Sequence, residues 1–251
     1  MLEVKDVYKS YRKTGIGFRK DRLNVLNGVS FSITAGDCVG LVGESGSGKS
    51  TLSRLILGLE EADKGSIFIE GERISKWIKK NKGKMSVVFQ DYTSSANPRY
   101  KVSDIIGELL EAFSKNDNTL EKVEQLLEQV ELPLSIANRF PHELSGGQLQ
   151  RVCIARAIST HPKLLVLDEA ISSLDVSIQM QTLELLDKIK KEMNMTILFI
   201  AHDLQAVTHL CDKVMFLNEG QIVEQIATNN LIEVKNEYAQ RLLHSVIPFN
   251  I

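Results

Sequence analysis

Hydrophobic and polar positions change their rhythm several times along this chain. Near the N-terminus they alternate: Leu2-Glu3-Val4-Lys5-Asp6-Val7, then Val25 to Ile33, then Ser66-Ile67-Phe68-Ile69-Glu70 between Gly65 and Gly71. A period of two predicts antiparallel strands with one face in water. Four short runs are apolar throughout, at 38–42, 86–89, 164–167 and 196–201. Such runs fit strands of a parallel sheet covered on both faces. Between them the period becomes helical: Leu52, Leu55, Ile56 and Leu59 form one stripe, and Leu120, Val123, Leu126, Leu127 and Val130 another. Strands alternating with helices predict an α/β fold, a parallel-sheet core with an N-terminal antiparallel β subdomain. From about residue 97 to 160 the pattern is mostly helical and offers no strand, which predicts an inserted helical subdomain. The core would then be 1–96 and 161–230, with a short C-terminal extension at 231–251. No internal repeat or low-complexity tract interrupts the single domain.

The 251 residues are 43% hydrophobic and 25% charged, ordinary for a globular protein and unlike collagen-like, disordered or coiled-coil chains. Thirty Lys+Arg against 32 Asp+Glu leave a net charge of −2, which argues against a chain-wide nucleic-acid or anionic-membrane surface. No apolar run approaches the ~18–20 residues of a membrane span, and MLEVKDVYKS lacks the apolar core of a secretory signal. Cys38, Cys153 and Cys211 sit singly in apolar stretches and read as small buried hydrophobes of a reducing compartment rather than a metal or redox site. Both observations predict a cytoplasmic protein. Residues 9–22 carry Lys9, Arg12, Lys13, Arg19, Lys20 and Arg22 against Asp21 alone, and read as a solvated loop between two strands rather than an anion site.

Gly43-Glu44-Ser45-Gly46-Ser47-Gly48-Lys49-Ser50-Thr51 follows one apolar run and opens the first helical stripe. It matches G-x-x-x-x-G-K-[ST] in the strand–loop–helix context where that pattern binds nucleotide phosphates. Glycines are needed because the backbone must wrap closely around the anion, N–H groups inward, in conformations costly for residues with a Cβ. The helix N-terminus adds its positive dipole end. Lys49 supplies a charge to the β- and γ-phosphates, and Ser50 a hydroxyl to Mg2+.

Leu164-Leu165-Val166-Leu167-Asp168-Glu169 ends a buried-strand run in two carboxylates. Ligands of open α/β sheets bind beyond the C-terminal strand ends, where Asp168 would hold the Mg2+ shell through water. Glu169 would orient and polarise the water that attacks the γ-phosphate. Taken alone, the pair reads equally well as acids capping a strand. The run 196–201 ends in His202, followed by Asp203. A lone histidine is usually structural, but this one falls at a strand edge suited to a γ-phosphate. His142, His161, His209 and His244 read as structural or surface residues.

Leu144-Ser145-Gly146-Gly147-Gln148 precedes a helical run with apolar Val152, Ala155 and Ile158. A serine and two glycines at a helix start form a second anion cradle. Two phosphate-binding edges on one subunit predict a dimer that sandwiches nucleotide between the first edge of one copy and the second edge of another.

With these residues assembled, the chain resembles the ATP-binding cassette (ABC) family along essentially its whole length. The loop 43–51, the run 144–148, the acidic strand end 164–169, Ser173-Leu174-Asp175 and His202 occur in that family's order and spacing. The resemblance implies that Gln90 is the Q-loop residue, touching Mg2+ and the attacking water and sensing a membrane partner. It implies that Asp175 communicates across the dimer and that Tyr11 stacks on adenine, with Tyr8 or Phe18 as alternatives. All five positions of 144–148 match and Glu169 is present, so neither half of the site is expected to be degenerate. A narrower similarity is to the ATPase subunits of peptide and nickel importers. It rests on Val88-Phe89-Gln90-Asp91-Tyr92-Thr93-Ser94-Ser95-Ala96-Asn97-Pro98-Arg99 and on Glu237-Tyr238-Ala239-Gln240-Arg241-Leu242-Leu243 with Val246 and Pro248. The longer tail and extra cysteines of some members are missing, so no iron–sulfur or tail-mediated role is expected.

The resemblance therefore implies a peripheral ATPase at the cytoplasmic face of the membrane. Two ATPase subunits, a heterodimer in most members or else a homodimer, close on two Mg-ATP molecules. Each ATP is held by 43–51 and Gln90 of one subunit and 145–148 of the other. Motion passes to two transmembrane permease subunits and, indirectly, to an extracellular substrate-binding protein, with no nucleic acid involved. The expected cargo is a peptide, nickel or a metal chelate. A soluble ABC clamp acting on ribosome or DNA is the alternative, but that class typically carries two cassettes or long coiled coils. A regulatory nucleotide-binding module is disfavoured by Glu169 and His202, and a P-loop kinase or GTPase by 144–148.

Overall fold

Strands dominate both ends of the chain and helices its middle. A computed structural model describes residues 1–12, 22–113, 118–172 and 174–246. It begins with β1 (Leu2–Arg12), β2 (Arg22–Ile33), β3 (Cys38–Val42), α1 (Lys49–Ile56), β4 (Lys64–Ile69), the short β5 (Glu72–Arg73) and α2 (Ile74–Lys80). β6 (Met85–Phe89) leads into α3 (Tyr92–Ser95), α4 (Val102–Phe113), α5 (Thr119–Gln129) and α6 (Gly146–Ile158). Next come β7 (Leu164–Asp168), α7 (Val176–Met193) and β8 (Thr196–Ile200). The chain then forms α8 (Leu204–Leu210), β9 (Lys213–Asn218), β10 (Gln221–Ala227) and α9 (Glu237–Val246). It divides into two units, Met1–Lys80 with Leu198–Ile251, and Asn81–Ile197.

In the first unit the alternating strands form an antiparallel sheet in the order β2-β1-β4-β5. Leu2 stands opposite Ile33 and Ile69, and Val4 opposite Phe31 and Ile67. One face of the pleat is thereby apolar and buried. β3 is buried at every position. It runs parallel to β9, against which β10 lies antiparallel, and Ala201 N–H, just beyond β8, donates to Leu41 O at 3.2 Å. α1 buries Leu52, Leu55 and Ile56. The fourth residue of its expected stripe, Leu59, is 62% exposed, because the helix ends before Gly58, whose φ of +68° reverses the chain.

The basic stretch departs from its sequence reading. β1 continues through Arg12 and β2 starts at Arg22, so Lys9, Arg12 and Arg22 belong to strands and not to a loop. Carboxylates decide where two of these charges go. Glu60 accepts the Tyr11 hydroxyl at 2.5 Å and Arg54 Nε at 2.6 Å, with Lys9 Nζ at 3.4 Å. Asp63 accepts the Ser10 hydroxyl at 2.6 Å and Arg22 at 3.0 Å. Lys13, Arg19, Lys20 and Asp21 lie outside the described residues.

In the second unit β6 and β7 pair in parallel, from Met85 opposite Leu164 to Phe89 opposite Asp168. β7 is buried up to Asp168. β6 is an edge strand in which Val88 alone is buried, so the doubly covered reading does not extend to it. α4, α5 and α6 pack on one another. α6 is buried on nearly every side, while Leu120 at the start of α5 is 62% exposed and outside the predicted stripe.

All three cysteines are buried. Burial pushes the Cys153 thiol up to about 11. Cys38 and Cys211, isolated in sequence, bring their sulfurs within 3.2 Å. Among the described residues no helix is long and apolar enough to cross a membrane.

Three carboxylates are held below their ordinary range by hydroxyl donors. These are Glu60 by Tyr11, Asp63 by Ser10, and Asp91, lowered to about 2, by Thr93. A depressed folded-state pKa contributes stability above the unfolded value that is lost as pH falls through the folded one. The denaturant midpoint should therefore hold steady from about pH 7 to pH 5 and fall between roughly pH 4 and 2. Glu60→Gln should flatten part of that acid slope.

Candidate functional site

The phosphate loop joins β3 to α1 within the first unit. Gly48 caps α1 with φ +112°, and a Cβ there would lie 2.9 Å from Val25 O and 2.8 Å from Leu26 Cδ2. Only glycine satisfies both constraints. α1 opens on Lys49, 4% exposed, whose ammonium is held by the carbonyls of Gly43 at 2.6 Å and Glu44 at 3.0 Å. No acid lies in the first helical turn, so the positive end of the dipole is left for an anion. Ser47 O accepts Gly220 N–H at 3.0 Å, and Glu44 N–H donates to the Tyr238 hydroxyl at 2.8 Å. Ser47 Oγ is buried with no hydrogen-bond partner among the described residues. Ser45, Gly46 and Ser50 are exposed, and Thr51 is buried.

His202 follows β8 in the same unit and is exposed. Asp203 starts α8 directly after it by accepting Gln205 N–H at 2.8 Å. Tyr11 lies on β1 with its hydroxyl on Glu60 and the Lys9 ammonium 5.3 Å above its ring. The Tyr8 ring lies 5.9 Å from Lys64 Nζ. Phe18 is outside the described residues.

The second unit holds the remaining candidates. Asp168 is the last residue of β7 and Glu169 the next. Glu169 takes a left-handed φ of +53°, a conformation that costs about 1 kcal/mol or more in a residue with a Cβ. Its carbonyl accepts Ser172 N–H at 3.2 Å and the Ser172 hydroxyl at 2.9 Å. Gln90, just after β6, donates to Ser172 Oγ at 3.5 Å. Gln150 on α6, fully buried, donates through Nε2 to Ala170 O. The turn bearing Glu169 is thus held from two sides.

At the start of α6, Ser145 Oγ accepts Gln148 N–H at 3.3 Å, and Gln148 Oε1 accepts Ser145 N–H at 3.0 Å. This reciprocal cap uses the Ser145 hydroxyl that the sequence assigned to an anion cradle, together with Gln148, which the resemblance placed in the same nucleotide-holding motif. A Cβ on Gly147 would approach Ile178 Cγ2 of α7 to 2.8 Å. Ser145, Gly147, Gln148, Arg151, Ile178 and Gln181 help line a cavity of about 250 Å3. Asp175 stands at the N-cap of α7 with no side-chain capping hydrogen bond among the described residues, and Ser173 lies outside the described residues.

Ser172 and Gln150 escaped the sequence reading, and Tyr238 entered it only within the C-terminal run that resembles importer subunits, with no role at the site. Gln150 carried a usable signal, as an amide among the apolar residues of a helix. Ser172 and Tyr238 acquire their meaning only from their partners.

A strand, a glycine loop and a helix opening on a buried lysine define a phosphate-loop nucleotide-binding protein. More narrowly, the chain belongs to the ABC transporter family, whose sequence pattern matches residues 26–172. It is 41% identical over 251 residues to the metal-staphylopine import system ATP-binding protein CntF of Staphylococcus aureus (strain NCTC 8325 / PS 47), covering 99% of this chain and 100% of that one. It is 40% identical over 248 residues to the nickel import ATP-binding protein NikE of Brucella suis, covering 96% and 92%. It is 40% identical over 256 residues to the oligopeptide transport ATP-binding protein OppF of Lactococcus lactis, covering 98% and 80%. Among solved structures, the dimeric post-hydrolysis ATP-binding cassette MJ0796 bound to ADP and Pi matches with a TM-score of 0.79 and 26% identity, covering 91% and 99%. CbiO1 of Clostridium perfringens, part of the cbiONQ ABC transporter complex, matches with a TM-score of 0.80 and 26% identity, covering 98% and 95%.

Replacing Ser145 by Ala should lower stability by about 1 kcal/mol through loss of the α6 cap, while Asn, an equally good capping residue, should retain it. Urea unfolding of the two variants measures the difference.

Proposed function

We propose that this chain is the ATP-hydrolysing subunit of an importer for metal chelates, nickel or short peptides. The observation that carries the reading is the buried Lys49 ammonium, held by loop carbonyls at the N-terminus of α1. A buried ammonium on the first residue of a helix is set up to meet an anion, and the Ser47 hydroxyl of the same loop, without a hydrogen-bond partner among the described residues, suits a phosphate oxygen. The relatives named above are import ATP-binding proteins, which favours this reading over a clamp acting on ribosome or DNA.

The residues act as follows. The backbone N–H groups of 43–51 and Lys49 bind the β- and γ-phosphates, and Tyr11 stacks on adenine. Ser50, Gln90 and Asp168 supply a hydroxyl, an amide and a carboxylate. These are hard oxygen donors that suit Mg2+, which takes few protein ligands beside phosphate. When bound, Mg2+ neutralises charge on the phosphates. Glu169 holds the attacking water, and Lys49 and His202 stabilise charge on the transferring phosphoryl group. Ser145, Gly146, Gly147 and Gln148 of a second ATPase subunit close on the same nucleotide, in a hetero- or homodimer, as the dimeric cassette MJ0796 supports. Two transmembrane permease subunits, reached through the helical region and the segment after Gln90, take up the motion at the cytoplasmic face. An extracellular substrate-binding protein delivers the cargo to them.

Glu169→Gln should bind ATP within about threefold of the parent, release phosphate at least about 100-fold more slowly, and accumulate as an ATP-bound dimer. Hydrolysis at the parental rate would remove Glu169 from this role. Recovery of the chain from detergent-solubilised membranes with two permease subunits, followed by cargo-stimulated ATPase assays with nickel, metallophore or peptide, tests the import reading.

A further inference from the structure

The carbonyl of Gly43 and the N–H of Glu44 belong to one peptide plane, and both of its polar ends are engaged. The oxygen accepts Lys49 Nζ at 2.6 Å, and the N–H donates to the Tyr238 hydroxyl at 2.8 Å. Turning this plane would break both bonds at once. A hydrogen bond on the N–H also polarises the amide and makes its carbonyl a better acceptor for the ammonium.

Tyr238 is itself firmly placed. It lies in the first turn of α9 and is 6% exposed. The Glu224 carboxylate on β10 accepts Lys235 N–H at 3.1 Å and Asn236 N–H at 2.7 Å. Asn236 Oδ1 in turn caps α9, accepting Tyr238 N–H at 2.9 Å and Ala239 N–H at 3.3 Å. Ala239 and Leu243 bury the inner face of the helix, which packs on α8. A continuous series of hydrogen bonds runs from β10 through α9 to the phosphate loop.

We infer that Tyr238 is a positioning residue for the phosphate loop. Its hydroxyl keeps the Gly43 carbonyl turned towards Lys49 and makes nucleotide affinity depend on how α9 is seated. The C-terminal helix is thus part of the nucleotide site without touching nucleotide. This inference rests on the reading of 43–51 as an ATP site. Of the two bonds, only the one to Tyr238 can be removed without altering the loop itself.

Tyr238→Phe in the full chain keeps the ring and removes the acceptor. The net value of one such bond predicts a three- to tenfold rise in the KM and Kd for MgATP, with kcat within about twofold. Exchange of the Glu44 amide should quicken while the amides along α9 keep their protection. A KM within about twofold of the parent overturns the inference. So does a rise that comes with lost protection along α9, since packing would then be responsible, or with an equal fall in kcat. Failure of the parental chain to bind MgATP would sink the ATP reading instead, which separates the two failures.

Discussion

A lysine side chain is expensive to bury, and the phosphate loop is organised around one that is. Desolvating an unpaired ammonium costs several kcal/mol, so Lys49 at 4% exposure needs fixed oxygens. It finds them in the carbonyls of Gly43 and Glu44. Gly48, just before Lys49, turns the loop into α1 with a φ of +112° where a Cβ would strike Val25 and Leu26. The Glu44 N–H, in the same peptide plane as the Gly43 carbonyl, donates to Tyr238, and further along the loop the Ser47 carbonyl accepts Gly220 N–H. The arrangement is preorganised: much of the ordering a phosphate would otherwise impose on the loop is already present.

The same principle shapes the turn that carries Glu169. A left-handed residue with a Cβ persists only where its surroundings over-determine it. Here Ser172 binds the Glu169 carbonyl and buried Gln150 binds that of Ala170. Gln150 belongs to α6, whose N-terminus is the 145–148 motif. One helix therefore carries the 145–148 motif at its N-terminus and steadies the turn that bears Glu169. A shift of α6 would register in both.

Much of this was readable from residue order. Strand alternation, the glycine–lysine loop and the acidic strand end are local patterns, in which neighbours a few positions apart share one element and one task. The family and the α/β class followed from them. Misreadings came where a local pattern met a distant partner. Lys9 and Arg22 read as part of a solvated loop because Glu60 and Asp63 lie some forty to fifty residues away in sequence. Leu59 and Leu120 matched a helical period that a glycine reversal and a helix start left outside the buried stripe. The two glycines and serine at 145–147 read as a cradle, and the structure adds a capping box and a close approach to Ile178.

What the sequence determined alone was the family and the α/β class, because the motifs and strand patterns that carry them are set by short-range geometry that the chain cannot evade. What only the tertiary structure decided was what holds those residues still. The thiol pair Cys38 and Cys211, the amide of Gln150 on Ala170 and the hydroxyl of Tyr238 on Glu44 join positions 173, 20 and 194 residues apart. Such contacts are created by packing, whose energy depends on surfaces that meet only after folding, and they leave no periodic trace along the chain.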